Sequence, residues 1–304
     1  MATAPKVWLI TGTTSGLGKR LVNEVLSRGD LVIATGRSID NFKAQYKEDD
    51  QLKLMQLDVT EGPEPIAAKV QEALGVWGRI DVLVNNAGIG YPSLIEEAGR
   101  VIHLHHVTTA LAHATCSSAL LRKQMEANLY GVVDVTLAVL PHMRERKAGT
   151  IVVVGSRSAY KTELIGVGIY GASKAAVTAW TESLANEVAL FNVKVMLVQP
   201  GSFRTEGMYG QGFYNGNQIP AWNDIHATAR ARFASVPGTE KGDPAKAMRA
   251  LVDVVRGEGK AAGRELPRYL VLGEDAVADV RNKFARVLQV VADWEDVSTD
   301  TNFD

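Results

Sequence analysis

The sequence predicts an α/β protein: a three-layer sandwich in which helices cover both faces of a doubly wound, mostly parallel seven-stranded sheet. Seven short apolar, β-branched runs recur along the chain. Amphipathic stretches long enough to be crossover helices separate them, and a glycine-rich turn follows directly on the first run. Strands buried on both faces read as continuous apolar runs, and parallel neighbours need a crossover between them, which is usually a helix.

The runs lie at 7–10, 31–35, 52–57, 80–85, 150–154, 193–198 and 269–272, and the amphipathic stretches include 18–27, 66–74, 124–144 and 172–190. The alternation continues without a linker, so a single domain over 1–304 is expected. Two regions depart from it. Residues 203–237 are long, rich in glycine and aromatics, and follow a strand end, where open α/β sheets place their ligands. They read either as a substrate lid or as a surface excursion with its own small core. The acidic tail, 293–304, reads as a solvated terminus.

Composition narrows the function. Apolar residues make up 46% and charged residues 22% of 304, as in an ordinary globular protein. Thirty-three basic against 34 acidic side chains give a net charge of -1 with no basic block. Neither a nucleic acid nor an anionic membrane is therefore the expected partner; a small molecule is. The apolar run at 7–10 is too short for a signal-peptide core, so a cytoplasmic location is expected. Even the most apolar helical stretch, 132–140, contains Asp134, and no bilayer-spanning segment is expected. The lone cysteine, Cys116, rules out an internal disulfide.

The turn after the first run reads Thr11-Gly12-Thr13-Thr14-Ser15-Gly16-Leu17-Gly18 and leads into a helix. Gly12 suits a tight turn, Gly16 lets backbone approach a pyrophosphate, and Gly18 lets helix and sheet pack closely. Thr14, Ser15 and Leu17 complete a helix N-terminus that offers amide donors and a positive dipole end. At the end of the second run, Ala34-Thr35-Gly36-Arg37 has no acidic residue to hold two ribose hydroxyls. Arg37 offers a planar cation suited to a 2'-phosphate, so NADP(H) is expected in preference to NAD(H); the other reading of Arg37 is a solvated arginine at a strand end.

Tyr170 and Lys174 stand four residues apart in a predicted helix, which puts phenol and ammonium on one face. An isolated tyrosine titrates near pH 10, and a neighbouring cation favours its phenolate, which would fit it for acid-base work.

The glycine turn, Asn85-Asn86-Ala87-Gly88 after the fourth run, and Tyr170-Gly171-Ala172-Ser173-Lys174 occur in one order. Together they resemble the classical short-chain dehydrogenases/reductases, over residues 6 to about 205 with specific motifs and more loosely beyond. The resemblance implies a Rossmann-type fold and an enzyme that interconverts a carbonyl and a secondary alcohol. It makes Tyr170 the general acid or base and Lys174 the group that lowers its pKa and holds the nicotinamide ribose. Ser156 orients the reacting oxygen, with Ser158 as the neighbouring alternative. Asn128 anchors a water that links the lysine to solvent. Asp58, with Val59 beside it, caps the adenine amine, and Asn85, Asn86, Ala87 and Gly88 line the cofactor cleft. Pro200, Gly201 and Thr205 belong to the segment that closes over the nicotinamide. The resemblance also implies a homodimer or homotetramer. A sensor that only binds the dinucleotide, and an epimerase or dehydratase without net redox change, are the alternatives; a sensor has no need of Ser156, Asn128, Tyr170 and Lys174 together.

Between Gly88 and Asn128 the chain is longer than the family pattern by roughly twenty residues, where connections are normally compact. The excess, about 99–120, holds His103, His105, His106, His113 and Cys116. It reads as an inserted loop, as a set of metal ligands, or as translated non-coding sequence; no metal is expected. In the lid region Phe203, Met208, Tyr209, Phe213, Tyr214 and Trp222 suggest an apolar or ring-bearing ketone.

Overall fold

A computed structural model describes residues 4–303, apart from 39, 41, 43, 100, 103–114, 117, 207–210 and 217. The histidines of the long connection, and Met208 and Tyr209, lie outside the described residues.

Strand β1 (Val7–Ile10) leads into helix α1 (Gly16–Ser27), followed by β2 (Leu31–Gly36), β3 (Leu52–Gln56), α2 (Pro63–Trp77) and β4 (Val82–Asn85). A short antiparallel ladder, β5 (Val101–Ile102) with β6 (Thr115–Cys116), then precedes α3 (Ala119–Met125). One π-helical turn, Glu126–Tyr130, joins α3 to α4 (Gly131–Arg146). Next come β7 (Gly149–Val154), α5 (Gly168–Val188), β8 (Val193–Pro200), α6 (Asn223–Ala234), α7 (Pro244–Arg256), β9 (Tyr269–Leu272), α8 (Glu274–Asp293) and α9 (Glu295–Thr299).

The main sheet has the order β3-β2-β1-β4-β7-β8-β9, and every pair in it is parallel. All seven predicted runs are its strands. Alternate strand residues feed two cores. Leu9, Ile33, Leu83, Ile151 and Leu197 meet α2, α4 and α5 on one face; Trp8, Ile10, Val84, Val152 and Val198 meet α1 and α7 on the other. The chain leaves β1 in one direction and β4 in the other, so a crevice opens beyond the carboxyl ends of these two neighbours, where doubly wound sheets bind ligands. Among the described residues no helix is long and apolar enough to cross a membrane.

The two strand ends are tied together by Thr11. Its buried hydroxyl oxygen accepts from the backbone N–H groups of Asn86 and Ala87, each at 3.0 Å. The Asn86 side chain donates in return to the carbonyls of Thr11 (3.0 Å) and Gly12 (2.9 Å). This staple fixes the turn after β1 against the turn after β4. Thr11→Val keeps the shape and removes the acceptor, leaving the Ala87 amide without this partner while the Asn86 N–H keeps the Val84 carbonyl at 3.1 Å. It is expected to lower the unfolding free energy by about 1–3 kcal/mol, measured by urea denaturation.

Candidate active site

The glycine turn forms as its residue types require. Gly12 and Gly16 have φ of +70° and +59°, the left-handed region that glycine enters without strain. A Cβ at Gly12 would lie 2.7 Å from the Ala87 Cα, so the turn also needs glycine for its close approach to the β4 loop. A Cβ at Gly18 would meet the Gly12 carbonyl and the Asn86 amide. Gly18 thus closes the turn on itself, a tighter constraint than the helix-on-sheet packing predicted for it. The Gly16 N–H points at an anion supplied by the chain: Glu206 accepts from it at 3.3 Å while Arg20 grips the same carboxylate at 2.5 and 2.6 Å. Those contacts hold the Glu206 carboxyl down at about 2.

Arg37 is exposed at the end of β2, and its side chain makes no ion pair among the described residues. Asp58 uses one carboxylate oxygen to cap its own turn, accepting from the Thr60 amide (3.0 Å) and hydroxyl (2.8 Å). Val59 is buried, and its carbonyl and side chain crowd Gly131 at the start of α4. Asn85 turns its side chain into the core, where it donates to the Thr136 hydroxyl at 2.8 Å, and leaves its backbone to the cleft side. It is the last residue of β4, so its side chain follows the alternation of the strand, and a buried amide there needs a partner.

Asn128 sits in the π-helical turn, a distortion often found at functional sites. Its Oδ1 accepts from the Ile89 N–H (2.8 Å), and its Nδ2 donates to the Ile89 carbonyl (2.9 Å) and the Ser173 hydroxyl (3.0 Å). Gly88 packs directly against it: a Cβ there would lie 3.0 Å from Asn128 Oδ1 and 3.6 Å from Lys174 Nζ. Lys174 is buried and donates to the Val154 carbonyl at 2.8 Å. Burial alone lowers its ammonium to about 8. Tyr170 lies across from it, with Nζ 6.0 Å from the ring centroid. Burial pushes the Tyr170 phenol up, and a hydrogen bond from Ser156 works the other way. In this arrangement the Ser156 hydrogen bond favours the phenolate, and the Lys174 ammonium stands on the same helix face as the ring.

Ser156 and Ser158 are told apart by geometry. The Ser156 hydroxyl reaches Tyr170 and also accepts from the Ser158 N–H at 3.1 Å. The carbonyl of Ser158 instead packs against Gly171, where a Cβ would approach to 2.9 Å. Two anchors of Ser156 were not read from the sequence. Fully buried Gln199, on β8, accepts from the Ser156 N–H at 2.7 Å and donates to the Thr178 hydroxyl (3.1 Å) and the Tyr160 phenol (3.3 Å). Arg157 pairs with Asp275 and Asp279 at the base of α8, both at 2.9 Å, and donates to the Ser202 hydroxyl at 2.9 Å. A buried glutamine next to a proline has no local periodicity to betray it; its isolation as a polar residue in an apolar strand was the available signal.

Pro200 ends β8 beside Leu272, and Gly201 is pressed against the Asp275 carboxylate, which accepts from the Ser202 N–H at 2.8 Å. Thr205 lies over the glycine turn, its Cβ 3.9 Å from where a Gly16 Cβ would stand. The lid aromatics divide. Phe203 joins the sheet core and does not face a substrate space. Phe213 packs edge-on against His226 and Phe233, at 5.1 and 6.2 Å between ring centroids. Trp222 donates to Glu96 at 2.7 Å.

A family model described as short chain dehydrogenase matches residues 6–211. Oxidoreductase BOA17 of Botryotinia fuckeliana is 31% identical over 301 residues, 96% of this chain and 98% of the relative. The crystal structure of a short-chain dehydrogenase from Streptomyces avermitilis is 32% identical with a TM-score of 0.81, covering 99% of this chain and 100% of that one. A short-chain dehydrogenase from Burkholderia cenocepacia, solved in complex with NADP, shares the fold at 22% identity and a TM-score of 0.67, over 96% and 98% of the two chains. The chain belongs to the short-chain dehydrogenase family and carries the fold of a nicotinamide-dependent oxidoreductase.

The buried lysine gives the site a pH signature. Lys174 ionises at about 8 in the fold against 10.5 in the free side chain. Below pH 8 both states carry the proton and the folded state bears the full cost of a buried cation. Between pH 8 and 10.5 the unfolded chain binds the extra proton, so this group adds stability as pH rises, by a total on the order of 3 kcal/mol. Lys174→Met is expected to abolish that component of the pH slope; melting temperatures of both proteins from pH 7 to 10.5 measure it.

Proposed function

We propose that this short-chain dehydrogenase is an NADP(H)-dependent carbonyl reductase, with Tyr170 as the general acid for reduction and the base for the reverse reaction. The observation that carries the reading is the single cluster of Ser156, Tyr170 and Lys174 beside the crevice between β1 and β4, with the Gly12–Gly18 turn on its other side.

The cofactor fits the residues present. The left-handed glycines leave backbone open to a pyrophosphate, and the Gly16 N–H already takes one anion, the Glu206 carboxylate. Gly12, Thr14, Ser15, Gly16, Leu17 and Gly18 would hold the pyrophosphate, Arg37 the 2'-phosphate, and Asp58 with Val59 the adenine. Asn86, Ala87 and Gly88 would line the cleft, Lys174 would hold the nicotinamide ribose, and Pro200, Gly201 and Thr205 would close over the ring. When bound, the dinucleotide supplies the hydride to the carbonyl carbon or takes it back.

The side chains handle the proton and the charge. Because burial holds the Tyr170 phenol protonated at neutral pH, it is ready to donate to a carbonyl oxygen. The Ser156 hydroxyl, on a residue whose backbone N–H is held by Gln199, shares the charge that develops on that oxygen and stabilises the phenolate left behind. The Lys174 ammonium, close to its ionisation point, lies beside the phenol and can return a proton, while Asn128 keeps the π-helical turn and the Ile89 loop in place. The product is a secondary alcohol, formed from one hydride and one proton.

Tyr170→Phe removes the proton donor with little change in shape. In a screen of ketones, quinones, steroids and sugars followed by NADPH absorbance, it is expected to retain NADPH binding and to lose at least about a hundredfold in kcat on whichever substrate turns over; undiminished turnover would exclude this mechanism. Arg37→Asp is expected to reverse the NADPH/NADH ratio of kcat/KM, because it exchanges a 2'-phosphate partner for a hydroxyl partner. An unchanged ratio would remove Arg37 from the site.

A further inference from the structure

Helix α1, which the glycine turn opens, is met at its start by a carboxylate from far along the chain. Gly16 is its first residue, so the Gly16 N–H has no partner within the helix, and the side chain of Ser15 at the N-cap does not supply one. Glu206 does. Its Oε2 accepts from the Gly16 N–H at 3.3 Å and from the Arg20 guanidinium at 2.5 Å, while Oε1 accepts from Arg20 at 2.6 Å. Oε2 therefore sits where a backbone amide and a cation one helical turn away converge on one oxygen. That is a donor pair suited to a phosphoryl oxygen.

The two halves of the contact are held differently. The Arg20 guanidinium also donates to the Gly16 carbonyl at 3.1 Å, so it has a partner on the turn without Glu206. The Glu206 side chain is 58% exposed against 25% for Arg20, and it can turn out to water with little change in its solvation. The backbone that carries it is pinned just before it. The Arg204 N–H donates to the Gly242 carbonyl at 3.1 Å, and the Arg204 side chain donates to the carbonyls of Gly238 (2.7 Å) and Glu240 (3.1 Å). Arg20 is thus the fixed half and Glu206 the movable one. An ion pair this exposed contributes little to folding stability; what sets it apart is its place on the turn.

We propose that Arg20 and the Gly16 N–H form the seat of the dinucleotide's pyrophosphate, and that Glu206 fills this seat until the cofactor displaces it. With NADP(H) as the ligand of the glycine turn, the reading on which this rests, Arg20 becomes a cofactor-binding residue and Glu206 an internal competitor. The pyrophosphate carries more charge than a carboxylate and is delivered with the adenine and ribose contacts, so it wins the seat. The molecules competent to bind are those in which Glu206 has swung away, and the apparent dissociation constant is the intrinsic one divided by their fraction. On release the tethered carboxylate refills the seat.

Calorimetric titration of the full-length chain tests the proposal, with NADPH and with adenosine 2'-monophosphate, which keeps the base and the 2'-phosphate but lacks the pyrophosphate. Glu206→Gln is expected to tighten NADPH binding at least about threefold and to leave the fragment's affinity unchanged. Glu206→Ala is expected to act in the same direction, which keeps the test valid should either variant fail to fold. In the Glu206→Gln background, where the competitor is gone, Arg20→Met is expected to weaken NADPH binding at least about tenfold, again with the fragment unmoved. NADPH bound no more tightly by the Glu206 variants than by the wild type, undiminished binding on loss of Arg20, or an equal shift for the fragment would each overturn the proposal alone. Binding of neither NADPH nor NADH by any of these proteins would overturn the cofactor reading and the proposal with it.

Discussion

The amide of Asn128 closes on Ile89 from both sides, and the wall of the candidate active site hangs on that contact. One oxygen accepts from the Ile89 N–H while the nitrogen donates to the Ile89 carbonyl and to Ser173. Three elements are fixed at once: the loop after β4, the π-helical turn, and α5, which carries Tyr170 and Lys174. A buried amide with three partners has one orientation available to it, so the network sets geometry as much as stability. It also dictates its neighbours. A Cβ at position 88 would press to 3.0 Å from the Asn128 oxygen, so glycine there lets the loop lie this close, whereas a Cβ at Gly90 would make an ordinary contact with the Tyr170 ring at 3.7 Å.

The legible parts of the chain were those in which local rules and the fold agree. Strands buried on both faces must be apolar throughout, so all seven runs could be read directly, with ends displaced by a residue or two. Gly12 and Gly16 could be read because a positive φ excludes most other residues. The motif positions around Tyr170 were also legible, because helical spacing is a local property. What could not be read were partners. Thr11, Gln199, Arg157 and Asp275 act across gaps of tens of residues, and nothing near them in sequence marks what they will meet. The partner of Asn85 was hidden for the same reason: its side chain obeys strand alternation, and Thr136 lies on a helix that the sequence does not place opposite it. Phe203 read as a lid aromatic by position, but its neighbours Gly242 and Gly273 leave space that draws it into the sheet core.

The lid region rests on a polar contact rather than an apolar one. Glu97 is buried ahead of the long connection, where it meets His226 of α6 at 2.6 Å and the Ile219 N–H at 2.8 Å. Isolating a carboxylate from water is costly, and two partners offset that cost only while α6 stays docked. Phe213 packs edge-on against His226, and the Tyr214 N–H donates to the Pro92 carbonyl at 2.8 Å. The region therefore has the satellite core that its composition allowed as one reading. It is fastened to residues 92–97, the loop that runs beyond Gly88 and Gly90, so any lid motion is coupled mechanically to the wall around Tyr170.

The long connection before Asn128 is held together at its ends, which bears on how firmly Asn128 is placed. The Leu120 N–H donates to the Ala98 carbonyl at 3.1 Å, and β5 pairs with β6 at Val101 and Cys116, so the extra residues leave and re-enter at nearly one point. Inside that pinch, buried Gln124 donates to the Ile89 carbonyl at 2.6 Å and accepts from the Tyr91 N–H at 3.1 Å, doubling the grip that Asn128 has on the same loop. The entropic cost of lengthening a closed loop grows only with the logarithm of its length. An insertion whose ends are already held together therefore adds little strain to the frame, and the position of Asn128 is set by Ile89, Ser173 and the π-helical turn, independently of how many residues lie between Ala98 and Leu120.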